Sequence, residues 1–215
     1  MNSPGSSAHI HISVHSKHAR KIAEELSPPE TSFLSSLLTN LPAVTALTMP
    51  IPASYQRMVD GFWSGGTYVN WGTENREAPI RLTNATSPSS RNFEIRCVDA
   101  TANPYLALSG VLGVGLNGIE KDVELTIHDC PGPVTAAHMT EEGRRTLGIT
   151  TRMPLSWEES HSKLRVNKLL TEHILGPELT EKYLVVNQVY SLPRWSGFAT
   201  TKLISVVSCR VIECR

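Results

Sequence analysis

Polar and apolar residues alternate one by one over Ala8-His9-Ile10-His11-Ile12-Ser13-Val14-His15, and again over Asn92-Phe93-Glu94-Ile95-Arg96-Cys97-Val98. Side chains on a strand point to opposite faces in turn, so both stretches predict half-buried strands. In the first, His9, His11, Ser13 and His15 share one face, and Ile10, Ile12 and Val14 the other. In the second, Glu94 and Arg96 stand opposite Phe93, Ile95 and Cys97. Helical periodicity replaces this alternation at Phe33, Leu34, Leu37, Leu38 and Leu41, with S-P-P at 27–29 before it and Pro42 as its expected stop. Lys17 to Leu26 reads as a short helix or loop. Tyr68 to Trp71 predicts a strand running into a turn at Gly72. Asn103-Pro104 suits the start of a helix over Tyr105 to about Asn117, with Gly118 as its end. That helix is apolar on every side and carries Gly110, Gly113 and Gly115, which predicts close packing against the sheet. Asp122 to Thr140 is loop-rich. Ser156-Trp157-Glu158-Glu159 is a capping box, and the helix it opens should run toward Leu175. Gly176-Pro177 separates it from a last helix over about 178–190, and Leu203 to Val207 is β-prone.

Charge changes the picture at the strands. Arg57, Arg76, Arg81, Arg91 and Arg96 recur within segments that otherwise read as buried. A guanidinium stays ionised and recognises carboxylate or phosphate with a planar fork. Either these arginines are solvated on one sheet face, or they line a cleft that expects anions. Imidazole and carboxylate together hold divalent ions. The H-x-H and E-x-R strands would therefore supply ion ligands and anion clamps if they are neighbours in one sheet. Glu74 and Glu77 flank Arg76 and read as partners for arginines.

The bulk numbers narrow the class. The 215 residues suffice for one sizeable core, and Lys+Arg 20 against Asp+Glu 20 leaves no basic excess for a nucleic-acid partner. Four cysteines without C-x-x-C spacing indicate neither a zinc knuckle nor a disulfide framework. His128, Asp129, Cys130 and His138 likewise match no standard zinc pattern. The glycine-interrupted helix is too short to cross a membrane, and no secretory leader is apparent, so a cytoplasmic setting is expected.

G-S-S-A-H-I-H-I-S, S-Y-Q-R-M-V-D-G, E-N-R-E-A-P-I-R and F-E-I-R-C-V-D-A-T-A-N-P-Y-L-A-L occur in that order. Together they resemble the motifs of the glutamine synthetase family over roughly residues 5 to 190. W-S-G-G-T-Y-V-N-W-G-T-E-N-R-E looks most like its fungal group, which includes the glutamine synthetase-like half of a developmental regulator. The resemblance implies an α+β fold: an incomplete catalytic domain at 1–190, with a curved antiparallel sheet and helices on its outer face. Residues 191–215 then form a divergent tail. It also implies an ATP- and Mg2+- (or Mn2+-) dependent ligase that phosphorylates the glutamate side chain and lets ammonia or another amine displace the phosphate. Position by position, His9 and Glu94 match metal ligands, and His11 and Ser13 match ATP contacts. Arg57 and Arg96 match the arginines that hold glutamate. Arg76, as a catalytic group, and Arg81 match those that meet the phosphates. Arg91 lies one place before the family's usual basic position. The implied partners are small molecules and, as the family forms rings, further copies of the chain.

Three departures bear on function. Trp63 stands where many members carry a glutamate that binds and deprotonates ammonium. An indole accepts no proton, but its face suits a bulkier amine through cation–π contact. Pro4 replaces the asparagine usual in the first motif. The family's other metal-binding glutamates and its small N-terminal domain precede the H-x-H strand, so this chain is expected to lack them. These departures leave open a second reading, a regulatory or signalling protein that keeps the fold without turnover.

Overall fold

The structure is a computed structural model describing residues 8–17, 22–23, 25–61 and 66–188, and the backbone of 205–214. Five strands form one open sheet: β1 (Ala8–Ser16), β2 (Trp71–Thr73), β3 (Ile80–Thr83), β4 (Asn92–Val98) and β5 (Ser205–Cys214), in the order β2-β3-β4-β1-β5. The central pairs β3–β4 and β4–β1 are antiparallel, as expected. The outer pairs β2–β3 and β1–β5 are parallel, so the sheet is mixed rather than wholly antiparallel. The β-prone run at 203–207 thus lies partly within a longer strand on the β1 edge.

The alternation in β1 and β4 sorts their side chains as the pleat requires. Ile10, Ile12, Val14, Phe93, Ile95 and Cys97 are buried on one face. Against that face lies α1 (Pro28–Thr48), where Phe33 stacks on Phe93 with ring centroids 6.1 Å apart. α1 does not stop at Pro42 but continues to Thr48. Proline removes one backbone donor. The burial of Val44, Ala46 and Leu47 beyond it, each at most 1 % exposed, offsets that loss. S-P-P opens this helix. Ser27 is the N-cap, with Pro28 and Pro29 in the first turn, and Glu30 closes a capping box onto Ser27.

α2 (Pro104–Glu120) starts where expected, with Asn103 Oδ1 accepting from the Tyr105 and Leu106 amides. It packs on α1, however, not on the sheet, and Gly118 lies inside it. A Cβ at Gly118 would sit 2.3 Å from the Ser32 carbonyl oxygen, and one at Gly115 2.1 Å from the Phe33 ring. These glycines are the close approach between two helices. The outer side of α2 meets solvent, with Tyr105 80 % exposed. Gly72 too is within an element rather than a turn: it is the middle residue of β2, pressed against the Cys130 carbonyl.

Beyond a short α3 (Glu141–Thr146), the helix at Ser156 comes in two pieces. α4 (Trp157–Val166) ends at Asn167, and a π-helical turn follows over Leu169–Ile174. Asn167 breaks the run by turning its side chain to Asn40 and to the Leu170 amide. The Ser156 hydroxyl accepts from the Glu159 amide, but Glu159 caps Leu155 rather than Ser156. α5 (Pro177–Gln188) is the last described helix. Among the described residues no helix is long and apolar enough to cross a membrane.

Candidate active site

The polar face of the sheet, opposite α1, gathers several of the residues expected at the site. Register does this directly. In β1–β4 pairing His11 lies beside Glu94, and in β3–β4 pairing Arg81 lies beside Glu94. Three neighbouring strands therefore set an imidazole, a carboxylate and a guanidinium in one row, with His9 and Arg96 each two residues along their strands.

Glu94 is the centre of this row. Its Oε1 accepts from His9 Nδ1 at 2.7 Å and from Arg96 Nη1 at 2.7 Å, while Arg81 Nε lies 2.7 Å from Oε2. The Arg81 contact is close but does not form a hydrogen bond, leaving both of its atoms without a hydrogen-bond partner. Its attraction is electrostatic only. Glu94 and Arg96 are 2 % and 8 % exposed, so this charged pair is buried rather than solvated. Burial by itself raises the Glu94 pKa. The His9 hydrogen bond and the Arg96 and Arg81 charges outweigh it and bring the carboxyl down to about 2. Burial also lowers the pKa of Arg96, with Arg81 and Arg76 adding like-charge repulsion and Glu94 opposing them. Three guanidinium groups thus share one neighbourhood with a single carboxylate, an environment suited to a further anion.

His9, His11 and Glu94 each offer a ligand atom within 4.8 Å of the others, and no other group of three among the described residues does so. Asn92 Oδ1 accepts from His11 Nδ1 at 2.8 Å, which leaves the Nε2 lone pair available. Two imidazoles and a carboxylate form a donor set that fits a divalent ion of the Mg2+, Mn2+ or Zn2+ kind. The short His9–Glu94 contact must open slightly to admit one.

The remaining expected site residues divide. Ser13 is on the same strand face and donates to the Arg91 carbonyl at 3.1 Å. Arg76 is exposed, and its carbonyl accepts from Arg96 Nε at 3.0 Å, so the chain around it fixes the Arg96 fork. Arg57 leaves a 3-10 turn over Pro52–Arg57 and donates from Nη2 to the Val98 carbonyl at 2.7 Å. Its Nη1 lies 3.6 Å from Asp99. Arg57 is therefore held at the far end of β4 from Arg81. Arg91 is not in the cleft at all: it is 1 % exposed and pairs with Glu30 of α1 through two nitrogens. Trp63 lies outside the described residues. Glu74 accepts from the Asn84 amide rather than pairing with an arginine. Asp129 is taken by Thr73, and Cys130 is buried, so the 128–138 residues form no ion site.

Asn92 and Glu30 were missed from the sequence, though both had signals. Asn92 has the parity of Glu94 and Arg96 on an alternating strand. Glu30 stands three residues after Ser27, the spacing of a capping box.

Residues 1–191 match the family of the glutamine synthetase catalytic domain. Protein fluG of Emericella nidulans is 38% identical over 187 residues, 87% of this chain and 20% of that protein. A glutamine synthetase of Thermococcus kodakarensis is 38% identical over 175 residues, 80% of this chain and 38% of that enzyme. Gamma-glutamylpolyamine synthetase GlnA3 of Streptomyces coelicolor is 34% identical over 192 residues, 85% of this chain and 40% of that enzyme. The chain thus spans between a fifth and two fifths of the length of these relatives. Among solved structures, the GmaS/ADP complex (conformation 1) shares the fold with a TM-score of 0.62 at 24% identity. The match covers 80% of this chain and 38% of that one.

Proposed function

Because the chain belongs to the glutamine synthetase catalytic-domain family, we propose that it carries the ion- and anion-handling part of an ATP-dependent ligase. The ligase joins the side-chain carboxyl of glutamate to ammonia or another amine through a γ-glutamyl phosphate. The observation that supports this reading best is the row of His11, Glu94 and Arg81 across three strands, with His9 and Arg96 closing on the same carboxylate.

His9 and Glu94 would hold Mg2+ or Mn2+, which would supply charge neutralisation for the phosphates. Glu94 is ionised throughout the neutral range, since its carboxyl is held near about 2. His11 and Ser13 reach the nucleotide, and Arg57 and Arg96 hold the carboxylates of glutamate. Arg76 and Arg81 stabilise the transferring phosphoryl group, whose transfer depends mainly on positioning and electrostatics. The glutamate carboxylate oxygen takes the γ-phosphoryl group and ADP leaves. The amine lone pair then attacks the activated carbonyl, phosphate leaves, and the amine gives up a proton. Trp63, in place of an acidic residue, favours an amine larger than ammonia. Residues 1–190 are the partial catalytic domain in this reading, and 191–215 a divergent tail.

Titration calorimetry of the 215-residue chain with ATP and Mg2+ tests the assignment. Heat of binding is expected for the parent and is expected to vanish in His9→Ala and Glu94→Ala. Nucleotide binding that both substitutions leave intact would overturn the site. A folded chain that binds no nucleotide would instead favour the regulatory reading.

A further inference from the structure

Glu94 is crowded. One oxygen takes His9 and Arg96, and the other lies 2.7 Å from Arg81. A cation entering between His9, His11 and Glu94 needs a carboxylate lone pair and meets two guanidinium charges around the same group. Like charges at such separations repel strongly in a partly buried cleft. The two arginines are not held equally. Arg96 is anchored by a hydrogen bond to Glu94 and another to the Arg76 carbonyl. Arg81 touches Glu94 without hydrogen-bond alignment, and its side chain is 17% exposed against 8% for Arg96. Arg81 is the group free to move.

We infer that Arg81 competes with the cation for Glu94, so that an oxyanion drawing Arg81 away raises the affinity of the site for the ion. Arg81 thereby couples binding of a phosphate-bearing substrate to binding of the metal, beyond any contact between the two ligands. This rests on His9 and Glu94 holding the ion, as proposed above.

The test is Mn2+ titration of the full chain, with free Mn2+ read by electron paramagnetic resonance, in chloride and in sulfate at matched ionic strength. Sulfate engages guanidinium groups and binds Mn2+ weakly. Arg81→Gln is expected to tighten Mn2+ binding about tenfold, the lower end of what one neighbouring charge does to a carboxylate. Sulfate is expected to tighten binding to the parent and not to Arg81→Gln. Equal or weaker binding to the variant, or a parent indifferent to sulfate, would overturn the coupling. If Arg81→Gln does not fold, the sulfate comparison on the parent decides alone. His9→Ala separates the two ideas: loss of Mn2+ binding there sustains the ion site whatever Arg81 does. Unchanged binding in His9→Ala sinks the site, and the coupling with it.

Discussion

Replacing Arg91 by methionine isolates a buried charge pair that sits behind the cleft. Arg91 and Glu30 have side chains only 1% and 2% exposed. Arg91 donates from Nε to Oε1 at 3.1 Å and from Nη2 to Oε2 at 2.7 Å, while Nη1 bonds the Ile22 carbonyl at 2.7 Å. Ser27 supplies two further donors to Oε2. Methionine keeps most of the apolar stem and removes the guanidinium that bonds both carboxylate oxygens of Glu30. Breaking a buried pair from one side costs about 3–5 kcal/mol, because the carboxylate loses the guanidinium and stays out of water. Replacing both members costs much less. The Ile22 carbonyl adds little, since Ile22 is 55% exposed and water can reach it. Urea unfolding followed by fluorescence measures this. Arg91→Met is expected to lose about 3–5 kcal/mol, and Arg91→Met with Glu30→Gln to recover at least half of that. A loss under about 1 kcal/mol for the single variant would mean that Arg91 is paired no more tightly than a surface ion, and would refute the reasoning.

Two further outcomes follow from the same packing. Gly118→Ala places a methyl 2.3 Å from the Ser32 carbonyl oxygen, where backbone must yield, and is expected to cost about 1–3 kcal/mol in thermal unfolding. A fully stable variant would show that α1 and α2 are not in contact there. His161 is buried between Trp157 and Tyr183. Its Nδ1 donates to the Trp157 carbonyl, and its Nε2 has no partner. Burial lowers its pKa from 6.5 to about 4, against the pull of the Trp157 carbonyl. The unfolded chain then binds the proton more readily. Stability is lost as pH falls from about 6.5 toward 4, by about 3 kcal/mol. The difference in stability between the parent and His161→Phe should follow that window. A difference independent of pH across it would overturn the assignment.

The strands that matter most were legible because a pleat has a period of two. The letters of 8–15 and 92–98 already said which residues share a face, and the apolar half of each is indeed core. The start of α2 was legible for a similar local reason, since an asparagine cap followed by proline acts within one turn. Pro42 misled because its cost is local while the burial that offsets it comes from residues distant in the chain. Gly118 misled for the same reason, while Gly115 marked a close approach as expected but to α1 rather than to the sheet. Near a helix end a glycine reads as a stop until the partner it admits, here Ser32, is known.

Ordered motifs and face parity determined which residues to expect together on one sheet face: His9, His11, Glu94, Arg81 and Arg96. Tertiary structure decided what each of them faces. Only pairing in register could bring β1 and β3 to either side of β4, and only tertiary packing could bury the charged pair of β4 rather than leave it wetted. The same contacts set Arg91 apart from the other arginines. Its sequence surroundings match theirs, yet the helix beneath it presents a carboxylate. A guanidinium takes its role from the nearest anion, and that neighbour lies 61 residues away in the chain.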